Sequence, residues 1–353
     1  MTMKRIKSLL IKDETIKNVE RLLSMARGID NMAVLIHGSP DPDSLAAAMA
    51  LREIFRQKSA LETCAIFSTE TAVRQQNVEL IRSVKVDIPL LGGIDLGIYP
   101  LIAVVDAQPP FFGKSLGESR PRIVIDHHPR APGWQAELED IREDYGALST
   151  ILMEYLLTAK VRIPKMLYTA LAYGILTDTN HFERDTLIED IGAYQLAFTR
   201  ANRQLLRRIE FNQIPERFLK YFDYAYHHQR RYRDRALCYL GKVESLDACV
   251  QVADFYQRLI DIYYVAVAGL VKERLIIIFR GDGYRQDCGA TAERAFGGYG
   301  SAGGHKSAAR VEIPLETLRT VLSGDISQES VEHFLVQRLR AARERSIKTI
   351  ATP

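Results

Sequence analysis

Four short clusters of acidic and imidazole side chains follow one another down the first half of the chain, each at the end of an apolar run. They are His37-x-x-Pro40-Asp41-x-Asp43, then Asp106, then Asp126-His127-His128, and finally Asp178 within Thr177-Asp178-Thr179. The apolar runs before them cover residues 33–36, 101–105, 123–125 and 170–176. In a parallel sheet the carboxyl ends of the strands all face one side, and ligands bind there. Read as strand ends, the four clusters predict one shared pocket. Asp41, Asp43, Asp106 and Asp178 would then crowd together, and even a screened like-charge pair at about 4 Å costs roughly 1–4 kcal/mol. Either cations are bound or the acids protonate, and two divalent ions would neutralise four carboxylates. Imidazole and carboxylate without thiolate suit manganese, with magnesium, iron(II) and zinc also compatible. In a plainer reading each Asp caps the helix after its strand. That accounts for Asp43-Ser44 but leaves His37 and the His127-His128 pair unexplained.

The 353 residues are 47% hydrophobic and 26% charged, ordinary globular values, and at about 100–200 residues per domain the length predicts two domains. Ile16, Val19, Leu22 and Leu23 sit at helical spacing and predict a helix over 13–25. A strand from residue 33, a helix over 44–57 and a strand over 61–67 begin a strand–helix alternation that runs to Asp178. Helices are expected over 148–160 and from Pro164 in the first-turn position. The alternation predicts an α/β fold with a doubly wound parallel sheet. Polar-faced helices over 188–211 and 215–232 read as a connector. Strands over 236–243, 262–270 and 275–279, a tight turn at 271–274, a glycine-rich loop, a strand over 309–313 and a closing helix over 329–345 form a smaller α/β domain with a mixed sheet. The expected division is 1–190, 191–235 and 236–345, with the boundary falling between 185 and 235.

Cys64, Cys238, Cys249 and Cys288 form no CxxC pair, which argues against disulfides and a cysteine zinc site. The basic N-terminal stretch lacks the apolar run of a signal peptide, and no apolar run approaches the ~18–20 residues of a membrane span. A cytoplasmic protein with no membrane partner is expected. The net charge of +3 is uneven: residues 200–235 hold ten Lys and Arg against four Asp and Glu, a local +6, leaving −3 elsewhere. The total is too small to imply wrapping of long nucleic acid, but local charge of this kind can steer a short polyanion. His227-His228 reads as surface. Trp134, the one tryptophan, reads as a packing plug or a base-stacking platform.

With all four motifs in order, the chain up to about residue 185 resembles the DHH phosphoesterases. Ala295-Phe296-Gly297-Gly298, Gly303-Gly304-His305 and Ala308-Ala309 resemble the glycine-rich motif of the DHH-associated C-terminal domain. Gly298-x-Gly300-x-x-Gly303 also matches a dinucleotide fingerprint, but a helix over 291–296 stands where that fingerprint needs a strand. The resemblance implies one metal held by His37, Asp41 and Asp106 and a second by Asp43, Asp106, His127 and Asp178. His128 would contact the scissile phosphate and Asp126 would orient His127. A two-metal hydroxide mechanism follows. Gly303, Gly304, His305 and Arg280 would hold the rest of the substrate, the glycines as an anion nest and Arg280 as a forked donor.

The implied substrates are very short oligonucleotides or linear dinucleotides, degraded to mononucleotides by a manganese-dependent enzyme, with a homodimer left open. The alternatives are a 3′,5′-bisphosphate nucleotide phosphatase, a cyclic dinucleotide phosphodiesterase, an exopolyphosphatase, and an inactive nucleotide-sensing protein. The sequence departs from the motif in three places. Ala46-Ala47 replace a common Gly-Ser pair, Tyr299, Gly300, Ser301 and Ala302 lengthen the glycine run, and Arg310 stands where a glycine often follows the two alanines.

Overall fold

The computed structural model describes residues 2–183, 186–210 and 214–350, and they form two compact units, Met1–Gln213 and Ile214–Pro353. The first unit opens with helices α1 (Met3–Leu10) and α2 (Asp13–Met25), then β1 (Asn31–Ile36), α3 (Pro42–Lys58), β2 (Thr63–Ser68) and α4 (Gln75–Val84). Next come β3 (Leu101–Val105), the single turn α5 (Pro109–Phe112), β4 (Ile123–Asp126) and β5 (Leu138–Ile141). Helices α6 (Leu148–Thr158), α7 (Lys165–Asp178), α8 (Ile188–Phe198) and α9 (Arg203–Glu210) close it. The strands are all parallel, in the order β2-β1-β3-β4-β5. The order in which strands are added reverses between β1 and β3, the kind of switch point where the crevice beyond the strand ends opens.

Alternation along each strand divides the core between the two faces. Met32, Val34, Ile36, Ala103, Val105, Ile123 and Ile125 pack with the helices of one face. Ala33, Leu35, Ile102, Val104 and Val124 pack with Phe112 and Leu116 on the other. Strands buried on both faces read as continuous apolar runs, which is why these were easy to find. Helix α3 is buried almost all round, Ala46 and Ala47 included, and packs against α6 and α7.

One of the four apolar runs is not a strand. Residues 170–176 lie in α7, so Asp178 ends a helix. Buried on nearly every side, this helix carries no polar stripe, and periodicity alone cannot tell such a run from a core strand. Pro164 is its N-cap residue rather than its first-turn residue.

The second unit runs α10 (Leu219–His228), β6 (Arg230–Tyr232), β7 (Arg235–Lys242), α11 (Leu246–Gln257), β8 (Tyr264–Val271) and β9 (Arg274–Gly281). It continues with α12 (Cys288–Phe296), β10 (Ser301–Gly304), β11 (Ala308–Pro314), α13 (Leu315–Val321) and α14 (Gln328–Ile350). Its sheet order is β10-β11-β9-β8-β7-β6, antiparallel except for the β7–β8 pair, which α11 joins as a crossover. The sequence reading passed over α11. The β8–β9 hairpin turns tightly, with Lys272 in the left-handed region at φ 51°. One face of the sheet packs on α12, α13 and α14, and the other on α10 and α11.

The segment expected as a separate connector is shared between the units. Helix α8 packs on α1 and α7, α9 packs on α4, and α10 packs on β7. The far end of the helix expected over 188–211, at Phe211, lies outside the described residues. No helix among the described residues is long and apolar enough to cross a membrane.

Candidate metal centre

The carboxyl ends of β1, β3 and β4 and the end of α7 carry the clustered residues. Asp41 caps α3, its Oδ1 accepting from Ser44 N (2.9 Å) and Ser44 Oγ (2.8 Å). The capping role therefore belongs to Asp41, which frees Asp43 in the first turn to point inward. Asp43 is buried, and its two oxygens accept from Leu148 N (2.7 Å) and Ser149 N (2.8 Å) at the start of α6. A negative charge at a helix N-terminus is favourable, so this acid is held in place by backbone.

His127 is fixed from behind. Its Nδ1 lies 3.0 Å from Tyr145 O, and a carbonyl only accepts, so the ring proton sits on Nδ1 and Nε2 faces the acids. Tyr145 is itself anchored, its hydroxyl donating to Glu154 Oε1 (2.8 Å) and accepting from Lys12 Nζ (2.6 Å). His127 Nε2 stands 3.0 Å from Asp178 Oδ2, 3.5 Å from Asp106 Oδ1 and 3.9 Å from Asp43 Oδ2. Asp106 occupies the left-handed region at φ 58° directly after β3, and its N–H donates to Ile125 O. This turns its carboxylate across the strand ends.

Without a cation these groups perturb one another strongly. Burial and the Asp178 charge push the Asp43 carboxyl up to about 7. Burial, then Asp41 and Asp43, drive Asp106 well above the ordinary carboxylate range, against the pull of His127. Burial disfavours a charged His127, yet Asp106 and Asp178 outweigh it and hold the imidazole up at about 12. Like charges that cannot all ionise together are a signature of a site built for something positive.

Two buried atoms, Asp106 Oδ1 and His127 Nε2, have no hydrogen-bond partner. Orphaned polar atoms of this kind in a native protein call for an explanation. Two overlapping sets of ligand atoms, Asp43–His127–Asp178 and Asp106–His127–His128, each lie within 4.8 Å of one another. Their oxygen and nitrogen chemistry fits hard or borderline divalent cations.

Of the two expected ligand sets, Asp43, Asp106, His127 and Asp178 are brought together. His37 and Asp41 fall outside the close sets. Asp41 lies near enough to be the strongest charge acting on Asp106, and His37 is exposed at the end of β1 with its ring 5.3 Å from that of Phe112.

The expected role of Asp126 needs correction. Its buried carboxylate accepts the backbone N–H of His127 (2.8 Å) and orients the ring of His128 through Nδ1 (2.9 Å), whereas the His127 ring is held by Tyr145. The Asp126 partner raises the His128 pKa, and this half-exposed ring turns its Nε2 away from Asp126. Sequence reasoning missed Gln108, which is fully buried. Its Nε2 donates to Asp126 Oδ2 (2.8 Å) and Pro129 O (3.1 Å), and its Oε1 accepts from Ala131 N (2.6 Å) and Trp134 Nε1 (3.2 Å). Its only signal was a polar residue two places after Asp106. Trp134 packs with the core on that side of the sheet, in keeping with a plug.

In the second unit, Gly303 and Gly304 lie in β10, paired with Arg310 and Ala309, rather than in a loop nest. Gly304 has φ 145°, and a Cβ there would overlap the Ala308 carbonyl, so strand packing demands this glycine. The N–H groups opening α12 are also occupied, Cys288 N by Lys306 O (2.9 Å) and Gly289 N by His305 O (3.0 Å). Arg280 pairs with Ala308 across the strands, placing it at the same end of the sheet as the exposed His305. Part of its fork is engaged, Nε with Asp254 Oδ1 (2.7 Å) and Nη1 with Phe279 O (2.9 Å). Helix α12 precedes the Gly298–Gly303 run, which removes the dinucleotide reading.

Fold and site together define a two-unit α/β protein with a carboxylate–imidazole pocket at the carboxyl edge of a parallel sheet. The same two-unit fold occurs in an exopolyphosphatase-related protein from Bacteroides fragilis, with a TM-score of 0.71 and 17% identity over 92% of this chain and 96% of that one. Exonuclease RecJ bound to manganese overlaps more loosely, with a TM-score of 0.49 and 12% identity over 95% and 96% of the two chains, too loosely to bear on the site. In sequence, an uncharacterised protein of Methanocaldococcus jannaschii is 29% identical over 307 residues. The match takes in 86% of this chain and spans 62% of the length of that relative. No family model matches.

Proposed function

We propose that this chain is a divalent-cation-dependent phosphoesterase of the DHH type that cleaves very short oligonucleotides or linear dinucleotides to mononucleotides. The observation that carries the reading is the convergence of Asp43, Asp106, Asp178 and His127 Nε2, with orphaned ligand atoms aimed at one another. The four motifs in order and the shared fold support it. Asp43, Asp106, His127 and Asp178 would hold the cation, with His37 and Asp41 nearest to a second. Manganese is the ion the donor set suits best. Bound there, divalent cations would polarise a phosphoryl group and lower the pKa of water.

The protein's own groups do the rest. Asp126 holds the His128 ring through Nδ1, so Nε2 is the nitrogen that would meet a phosphoryl oxygen. A raised pKa favours the protonated ring, whose N–H stabilises negative charge developing on that oxygen. Arg280 and His305, at one end of the second sheet, would hold the non-scissile part of the substrate by the N–H and guanidinium donors that remain open.

The test is product release, with manganese, from pApA, pGpG, longer oligomers, cyclic dinucleotides, bisphosphate nucleotides and polyphosphate. The reading expects mononucleotide release fastest from the shortest linear substrates. It also expects complete loss of activity in Asp106→Ala and roughly a 10²–10³-fold loss in His128→Ala with metal content unchanged. Preferential cleavage of polyphosphate or of cyclic dinucleotides would reassign the substrate. Undiminished Asp106→Ala activity would remove the metal centre from the mechanism.

A further inference from the structure

The second unit holds a pocket of about 600 Å³ that includes neither the metal centre nor Arg280 and His305. That volume suits a ligand of nucleotide size, since small-molecule sites run to about 300–1,000 Å³. Four arginines, Arg230, Arg231, Arg235 and Arg340, line it, and among the residues whose side chains are described, which end at Ala342, no carboxylate does. Arg230 is paired with Glu332 (2.9 Å), and Arg235 lies 3.9 Å from Asp234. Arg231 and Arg340 have no ion-pair partner among the residues whose side chains are described. Three of the four arginines come from the basic stretch at 200–235, whose surplus the proposed reaction leaves unexplained. A wall of this kind selects an anion, and guanidinium forks fit phosphate.

The interior is different. Leu237, Ala266, Val336 and Leu339 make it apolar, and Tyr232 and Tyr264 add rings. Tyr264 is 6% exposed and its Oη has no hydrogen-bond partner; the buried Gln286 Oε1 has none either. Both residues line this pocket. Thr291, the polar neighbour, donates its hydroxyl proton to Asp287 O (2.6 Å) and accepts from Gln286 Nε2 (3.0 Å). Buried unsatisfied groups are few in native proteins, and two around one pocket point to a partner that supplies a donor to the amide oxygen. Inorganic phosphate would satisfy the arginines but leave the apolar volume empty. A planar ring bearing an exocyclic amine would fill that volume and donate to Gln286.

We infer that this pocket is a second ligand site, for a nucleoside phosphate whose base carries an exocyclic amine. The phosphate would lie on the arginine wall and the base against the apolar interior and Gln286.

The experiment uses the full chain stripped of metal, so that binding does not depend on the centre in the first unit. AMP, purine riboside monophosphate, adenosine and inorganic phosphate are titrated by calorimetry into wild type, Arg231→Ala/Arg340→Ala, Gln286→Leu and Arg280→Ala, each checked for folding by circular dichroism. AMP is expected to bind at least tenfold more tightly than phosphate or adenosine. The double arginine variant should lose at least tenfold, and more than Arg280→Ala loses. Gln286→Leu removes an orphan acceptor and so should fold. It should also abolish the preference for AMP over purine riboside monophosphate. AMP binding that survives the double arginine change, or that Arg280→Ala removes instead, would overturn the assignment. Phosphate binding as tight as AMP would overturn the nucleoside part of it, and so would a base preference that Gln286→Leu leaves untouched. Hydrolytic inactivity of the wild type would sink the proposed function without altering any of these outcomes.

Discussion

His127 takes its orientation from a main-chain oxygen, Tyr145 O, and that choice fixes which nitrogen faces the acids. The groups around it hold protons that a cation has to displace. Asp43 is pushed up to about 7 by burial and Asp178, and His127 is held up at about 12 against its burial by Asp106 and Asp178. From about pH 8 to about pH 6 His127 stays protonated and Asp43 gains its proton, so a cation that displaces both should bind more weakly as the pH falls. Manganese titrated by calorimetry from about pH 8 to about pH 6 should weaken by roughly tenfold per pH unit for the His127 proton, and by about tenfold more over the whole span as Asp43 titrates. A constant affinity over that range would mean the ion binds without displacing them. Asp43, Asp106, His127 and Asp178 were legible in the sequence because their chemistry resides in the side chain named by the motif. Tyr145 and Gln108 were not, because one acts through its backbone and the other through a buried amide that no pattern marks.

At the scale of elements, the centre depends on how closely α7 lies against α3. Gly174 faces Asp43, and a Cβ there would overlap the Ser149 hydroxyl and stand 3.0 Å from Asp43 Oδ1. Gly174→Ala should therefore force the helices apart and cost about 1–3 kcal/mol, the usual range for overpacking. It should also weaken manganese binding, because Asp43 and Asp178 ride on the two helices. Chemical denaturation and metal titration of the same variant would check both; a variant that loses neither stability nor affinity would show that the contact relaxes freely. The parallel strands could be read in the sequence because burial on both faces leaves continuous apolar runs. The same burial left α7 read two ways, as the helix opening at Pro164 and as an apolar strand ending before Asp178, since an all-apolar run keeps no period. The glycines at 303–304 suggested a loop, but pairing with β11 draws them into an edge strand.

Across the whole molecule, each unit has its own hydrophobic core, the first formed around the parallel sheet and the second around the mixed one. A ligand that binds one folded unit stabilises that unit by mass action. Manganese at about a hundredfold over its Kd adds about 2.7 kcal/mol, a shift of roughly 5–10 °C for a unit of this size. Calorimetric unfolding should show that shift in one component only, and Asp43→Asn should erase it. Equal movement of every component would mean that the chain melts as one body. Two domains were expected from the length, with the boundary between 185 and 235, and the units part within that stretch; what was not legible is that no separate connector fills it, because α8 and α9 pack in the first unit and α10 in the second.

The 353 residues include a single tryptophan, and it is wired to the carboxyl end of the parallel sheet. Trp134 Nε1 donates to Gln108 Oε1, the Gln108 amide donates to Asp126, and Asp126 holds His128, while the Arg130 guanidinium lies 4.5 Å from the indole ring. The protein thus carries its own optical probe. Excited at the red edge, where the tyrosines stay dark, its emission should shift when magnesium, itself no quencher, enters the centre and rebalances charge along this relay. Gln108→Leu should silence that signal while the ion still binds, and an unlabelled sample in a fluorimeter would be enough to time each loading of the site.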